Sequence, residues 1–268
     1  MKKVLSLSMV FITSLVFIAC EKVIEVDLED QESKLIIEAK LSKLDQRITV
    51  DISMTTPYFA EAETEYISNA QITLTDQNGL AQLIPYTQNG HYELSFDPSI
   101  NMTYSISVLI DGKLYEATSI MPGSVPLNNL ESEFQAATPA TDEGYGVFAR
   151  FNDPADQENY YRIIHHLNGA IQNDGSDLQV ITDGIGNGNY LKLPLFQQVF
   201  NSGDRVFVEL VHFDEASYEY FNSLGDILGG QGPTAGTAAP GNPVTNWNGD
   251  AGGYFSAYTS DTLSLIIP

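Results

Sequence analysis

Apolar and polar residues alternate with a period of two through much of the first half of the chain. Ile48, Val50, Ile52 and Met54 are interleaved with Arg47, Thr49, Asp51 and Ser53. Ala70, Ile72 and Leu74 alternate with Gln71, Thr73 and Thr75, and Tyr92, Leu94 and Phe96 with His91, Glu93 and Ser95. Tyr104, Ile106, Val108 and Ile110 form a fourth such face. Successive side chains of a strand point to opposite sides, so this spacing predicts half-buried antiparallel strands. Asn78-Gly79, Asn89-Gly90 and Asp111-Gly112 lie between or beside them, and such pairs favour tight hairpin turns because they accept positive φ. About seven short strands in roughly 90 residues predict a β-sandwich, immunoglobulin-like or transthyretin-like, over 34–121.

Pro122-Gly123-Ser124-Val125-Pro126 breaks the alternation and predicts a linker at 122–126. A second β-rich domain is expected over 127–268. Val147, Ala149 and Phe151 begin a strand that ends at Asn152-Asp153-Pro154, and Tyr160 to Leu167 reads as another. Arg205 to Phe213 is apolar on both faces, which predicts a central strand. Asp214 then suits a helix N-cap, with Glu215 favourably placed in the first turn. Tyr218, Phe221, Leu224 and Leu228 follow at helical spacing, and Gly229-Gly230 is the expected stop. A last strand is expected from Tyr254 to Ile267, broken near Thr259-Ser260-Asp261. The expected fold is mostly β: an N-terminal sandwich and a second β-rich domain with one short α-helix.

The first residues follow a different logic. Lys2 and Lys3 precede an apolar stretch from Val4 to Ala19, 16 residues long. A spanning helix needs about 20 residues, so this length fits a cleaved signal better. Phe17-Ile18-Ala19-Cys20 resembles the lipobox of bacterial lipoproteins, with Phe17 in place of the usual Leu. Cys20 is the only cysteine of the protein, so it has no intramolecular disulfide partner. The reading is a signal peptide at 1–19, a lipidated Cys20, and an acidic tether at 20–33. The alternative is a plain secretory signal with an incidental cysteine. Several acyl chains on one residue would hold the protein stably on a membrane, at about 0.8 kcal/mol per buried CH₂.

Charge narrows the partners. The chain has 268 residues, with 12 Lys+Arg against 35 Asp+Glu and a formal net charge of -23. Losing Lys2 and Lys3 with the signal leaves 10 basic residues against 35 acidic ones, a net of -25. That balance argues against nucleic acid as a partner and against an electrostatic grip on anionic lipid.

Several segments together resemble a known family. They are the lipobox, the β-rich N-terminal half, FNDP…ENYYRI at Phe151 to Ile163, DEASYEYFNSL at Asp214 to Leu224, and NPVTNWNGDAGGYFSAYT at Asn242 to Thr259. The combination looks like the Bacteroidota outer-membrane lipoprotein family catalogued as domain of unknown function 4249. The resemblance implies an envelope protein that assists uptake beside a TonB-dependent receptor. It brings no catalytic residues.

Candidate sites are few. The segment 229–253 holds eight Gly, three Pro and the only tryptophan, and loops this long are usually functional or mobile. Trp247, Tyr254, Phe255 and Tyr258 make a candidate binding surface that could stack a sugar or dock a partner such as the receptor; the alternative is that they anchor the loop onto the sandwich. Asp174, Asp177 and Asp183 form weak candidates for Ca²⁺, in a loop without EF-hand order. His165 and His166 point to opposite faces of a strand and do not readily share a metal. Gly184-Ile185-Gly186-Asn187-Gly188 lacks the dinucleotide spacing and fits a hairpin loop. No G-x-S-x-G is present. The functional expectation is a lipid-anchored, non-catalytic accessory or binding component. The alternatives are a surface glycan-active hydrolase and a structural envelope lipoprotein without a small ligand.

Overall fold

The computed structural model describes residues 33–56, 63–138, 142–172, 178–195, 199–228 and 241–268. The signal, Cys20, the tether to residue 32, Asp174, Asp177 and the expected helix stop at Gly229-Gly230 lie outside the described residues. Each predicted alternation becomes a strand. β1 (Leu35–Ser42), β2 (Arg47–Met54), β3 (Gln71–Asp76), β4 (Ala81–Ile84), β5 (Tyr86–Gln88), β6 (His91–Ser95), β7 (Met102–Ile110) and β8 (Lys113–Met121) build the first half. The turns carry the expected backbone: Asn89 and Gly90 have φ of 48° and 70°, Asp111 and Gly112 of 49° and 85°.

The second half contains β9 (Leu127–Gln135), β10 (Gly144–Asn152), β11 (Tyr160–Leu167), β12 (Ala170–Gln172), β13 (Gln179–Thr182), β14 (Tyr190–Pro194) and β15 (Arg205–Phe213). Helix α1 (Glu215–Leu228) and the long strand β16 (Gly252–Ile266) complete it. Asp214 caps α1 by accepting from the Ser217 backbone N–H at 3.0 Å. The fold is mostly β and sandwich-like, with one short α-helix among the described residues.

A nine-stranded sheet runs in the order β12-β11-β15-β16-β1-β2-β6-β5, with β13 added on β11. A four-stranded sheet, β4-β3-β7-β8, and a three-stranded sheet, β14-β10-β9, lie outside that path. The inward residues of β1, β2 and β6 meet those of β3, β7 and β8 in one core, with Ile37, Val50, Tyr92, Ile72 and Val108 among its members. A second core joins β9 and β10 to β11 and β15 through Leu130, Val147, Phe151, Tyr161 and Val208. The segment 122–126 falls where the chain leaves one core for the other. Trp247, Ala251, Phe255 and Ala257 come from beyond residue 126 yet belong to the first core, and Ser33–Pro268 forms one compact unit.

β16 is what joins the halves. Gly252 to Tyr258 pair in parallel with β1, from Ile36 to Ser42. Thr259 to Ile266 pair antiparallel with β15. Thr259-Ser260-Asp261, expected to break the strand, is instead where an unbroken strand changes partner. The Asp261 carboxylate there accepts from the Leu127 backbone N–H at 2.8 Å, which holds the start of β9. As the pattern of Arg205 to Phe213 predicts, β15 is central, flanked by β11 and β16.

Candidate functional site

Strand geometry separates the four aromatic residues of the candidate surface. Phe255 points into the first core and is fully buried, while Tyr254 and Tyr258 point to the other face of β16. Trp247 is 4% exposed, and its indole N–H donates to the Ile37 carbonyl at 2.9 Å. Asn246 beside it donates to the Phe255 carbonyl (2.7 Å) and accepts from the Phe255 N–H (2.9 Å). Asn248 accepts from the Glu116 N–H at 2.8 Å. Trp247 and Phe255 therefore anchor this part of the chain between β1, β8 and β16. They are not available as a docking surface, because their rings are the filling of a core.

The outward face of the large sheet carries a cleft of about 310 Å³. Its floor is laid by four neighbouring strands: Arg162 and Ile164 on β11, Glu209, Val211 and Phe213 on β15, Tyr254, Ser256 and Tyr258 on β16, and Lys40 on β1. Phe221 of α1 closes one side, and Ile171 lies at the β12 end. The period-two rule explains the set: the residues between these, such as Tyr161, Ile163, Leu210 and Phe255, fill the cores beneath. The helix is fixed over the cleft by an aromatic cluster. Tyr220 and Tyr254 rings lie 4.5 Å apart, Phe221 and Tyr254 4.9 Å, and Phe213 stacks on Phe221 at 5.9 Å.

Arg162 dominates the electrostatics. Its guanidinium carbon sits 4.3 Å from the Phe221 ring centroid, a cation–π arrangement. Burial pushes its pKa below the ordinary arginine value, yet a guanidinium stays charged in proteins. The Nε–H is buried without a hydrogen-bond partner. Among the described residues, Arg162, Lys40 and Glu209 make no ion pair, although all three line the same cleft. Burial raises the Tyr220 and Tyr258 hydroxyls to about 12 and raises Tyr254 as well, so all three are neutral donors at neutral pH. The Ser256 hydroxyl already bonds to the Ser217 hydroxyl at 2.8 Å. One desolvated cation, a second cation, the Glu209 carboxylate and aromatic walls can bind a ligand.

Among the described residues, Asp183, Asp153 and His212 have structural partners. Asp183 accepts from the Asn159 N–H at 3.0 Å. Asp153 accepts from the Tyr161 hydroxyl at 2.6 Å and from the Gly188 N–H at 2.9 Å. These carboxylates hold the turn between β13 and β14. Gly188 has φ +74°, and a Cβ there would lie 2.6 Å from the Ala155 Cβ. His165 faces the core near Phe200, and His166 packs on Phe207 on the opposite face. His212 donates from Nδ1 to the Gly123 carbonyl at 2.8 Å, and burial lowers its pKa. No group of three or more His, Cys, Asp or Glu is placed to hold a metal among the described residues.

Arg162, Glu209, Lys40 and Phe221 were not picked out from the sequence as a site. The available signal was a charge inside each of two apolar strands, YYRIIHHL and VFVELVHF. Their convergence depends on β11, β15, β16 and β1 lying side by side.

Residues 21–264 match the family described as Domain of unknown function (DUF4249). The chain belongs to that family. The match spans the cleft and both cores of this DUF4249 protein. No curated protein matches it. Among solved structures, a two fibronectin type-III domain segment from chicken tenascin is similar at 13% identity, covering 67% of this chain and 90% of that one, with a TM-score of 0.21. A likeness at that score says nothing about function. No helix among the described residues is long and apolar enough to cross a membrane.

Proposed function

We propose that this DUF4249 protein is a lipid-anchored, non-catalytic binding component of the cell envelope of a Gram-negative bacterium, working beside a TonB-dependent uptake receptor. The anchor is Cys20, lipidated on its thiol, with residues 1–19 then cut away just before it, and the lipid rather than surface charge holds the protein on the outer membrane. The observation that carries the binding role is the cleft over β11, β15, β16 and β1. It offers an unpaired, desolvated arginine and aromatic walls, which suit recognition of a ligand.

Four measurements test the reading. Metabolic labelling with a fatty acid should mark the parent and not Cys20→Ala, and Cys20→Ala should be lost from the outer-membrane fraction and keep the longer, uncut chain. Affinity purification from detergent-solubilised outer membrane should recover a TonB-dependent receptor. Recovery of no receptor in several detergents defeats the accessory role. Protease shaving of intact cells then reports which way the protein faces.

A further inference from the structure

Resting on that binding reading, we infer that the cleft takes a small organic monocarboxylate: its carboxylate on the Arg162 guanidinium and its apolar body against Phe221, Tyr254 and Ile164.

Three observations converge on this class. First, Arg162 is desolvated and has an unsatisfied Nε–H. A buried donor without an acceptor is costly, and a guanidinium fork matches the two oxygens of a carboxylate. Second, the protein has only 12 Lys+Arg in 268 residues, and two of them, Lys40 and Arg162, line this one cleft without an ion pair. A strongly acidic protein thereby keeps a place where an anion is not repelled. Third, the remaining walls are apolar or neutral: Ile164, Ile171, Val211, Phe213, Phe221 and the Tyr254 ring. A volume of about 310 Å³ lies at the small end of ligand pockets, which suits a compact acid.

The same cleft argues against phosphate. Glu209 lines it, and Glu38 is close enough to raise the Tyr220 and Tyr254 hydroxyl pKa values. A second negative charge on the ligand would meet the Glu209 carboxylate in the cleft and the field of Glu38 beside it. The strands forming the floor spend their backbone N–H groups in the ladder, so they offer no nest of free donors of the kind that phosphates use.

The test is isothermal titration of the full-length protein in mild detergent with 3-phenylpropionate, its neutral amide and inorganic phosphate. The acid should bind saturably, and the amide and phosphate at least about tenfold more weakly. Arg162→Met keeps an apolar body of similar length and should weaken the acid at least tenfold. Arg162→Lys keeps the charge, loses the planar fork, and should fall between the two. Emission from Trp247, buried in the other core, reports whether each variant is folded. Equal binding of acid and amide, or a folded Arg162→Met variant that binds like the parent, overturns the assignment. No saturable binding of the acid up to about 10 mM overturns it as well. Receptor co-purification does not depend on this ligand, so it separates failure of the ligand class from failure of the accessory role.

Discussion

Asp214 is the most heavily used carboxylate among the described residues. One oxygen accepts from the Ser217 N–H (3.0 Å) and the Ser217 hydroxyl (2.6 Å). The other accepts from the Ser119 hydroxyl (2.7 Å) and the Ile120 N–H (2.8 Å) on β8. It therefore caps α1 and ties the helix to the sheet of the first half. Ser119 and Ser217 are 1% and 0% exposed, so water does not readily replace what is lost. Losing an N-cap costs about 1 kcal/mol, and a hydrogen bond to a charged acceptor is worth about 1.5–3 kcal/mol. Ser119 retains the Ala257 N–H and Ser217 retains Ser256, which moderates the loss. Asp214→Ala should cost about 3 kcal/mol in all. Asp214→Asn should cost about half as much, because an amide oxygen still caps while its NH₂ faces the β8 donors. Urea unfolding followed by circular dichroism measures both. For a domain of this size, each kcal/mol corresponds to about 2–4 °C in melting temperature. If both variants lie within about 0.5 kcal/mol of the parent, the carboxylate does not join helix and sheet as described. If Asn equals Ala, the cap contributes nothing and only the β8 contacts matter.

Four further outcomes are expected. Gly253 has φ +90°, and a Cβ there would lie 2.2 Å from the Ile37 carbonyl oxygen, so Gly253→Ala should destabilise by more than about 1 kcal/mol in the same unfolding assay. Trp247→Phe removes the bond to the Ile37 carbonyl and leaves that buried acceptor short of a partner; a loss of about 1–3 kcal/mol is expected, and an unchanged urea midpoint would refute it. The histidines predict pH effects of opposite sign, read from thermal melts across pH. The hydrogen bond to Asp51 raises the His91 pKa, so its contribution is complete below the unfolded value of about 6.5 and fades as pH rises through the folded one. His91→Gln should therefore cost more at about pH 5.5 than at about pH 8.5. Burial lowers the His212 pKa, so its contribution is complete above about 6.5 and is lost as pH falls towards the folded value; His212→Gln should flatten the acid side of the stability curve.

The sequence by itself determined the local elements of this protein. Period-two alternation set which residues of β2, β3, β6 and β7 face a core, since a strand has only two faces. Asn-Gly and Asp-Gly pairs set the turns because few other residues accept their backbone. Asp214 was legible as a cap because capping is a contact within four residues. The tertiary structure decided everything that needs two distant strands. It decided between the two readings of Trp247 and Phe255, making them anchors in a core and not a surface, because β16 lies against β1. It made Thr259-Ser260-Asp261 a change of partner instead of a break. It assembled the cleft, whose Lys40, Arg162, Glu209 and Tyr258 come from four strands spread over more than 200 residues. Alternation states that such residues leave the core. Only strand order states which of them meet, because pairing is set by long-range register and not by the period of any one strand.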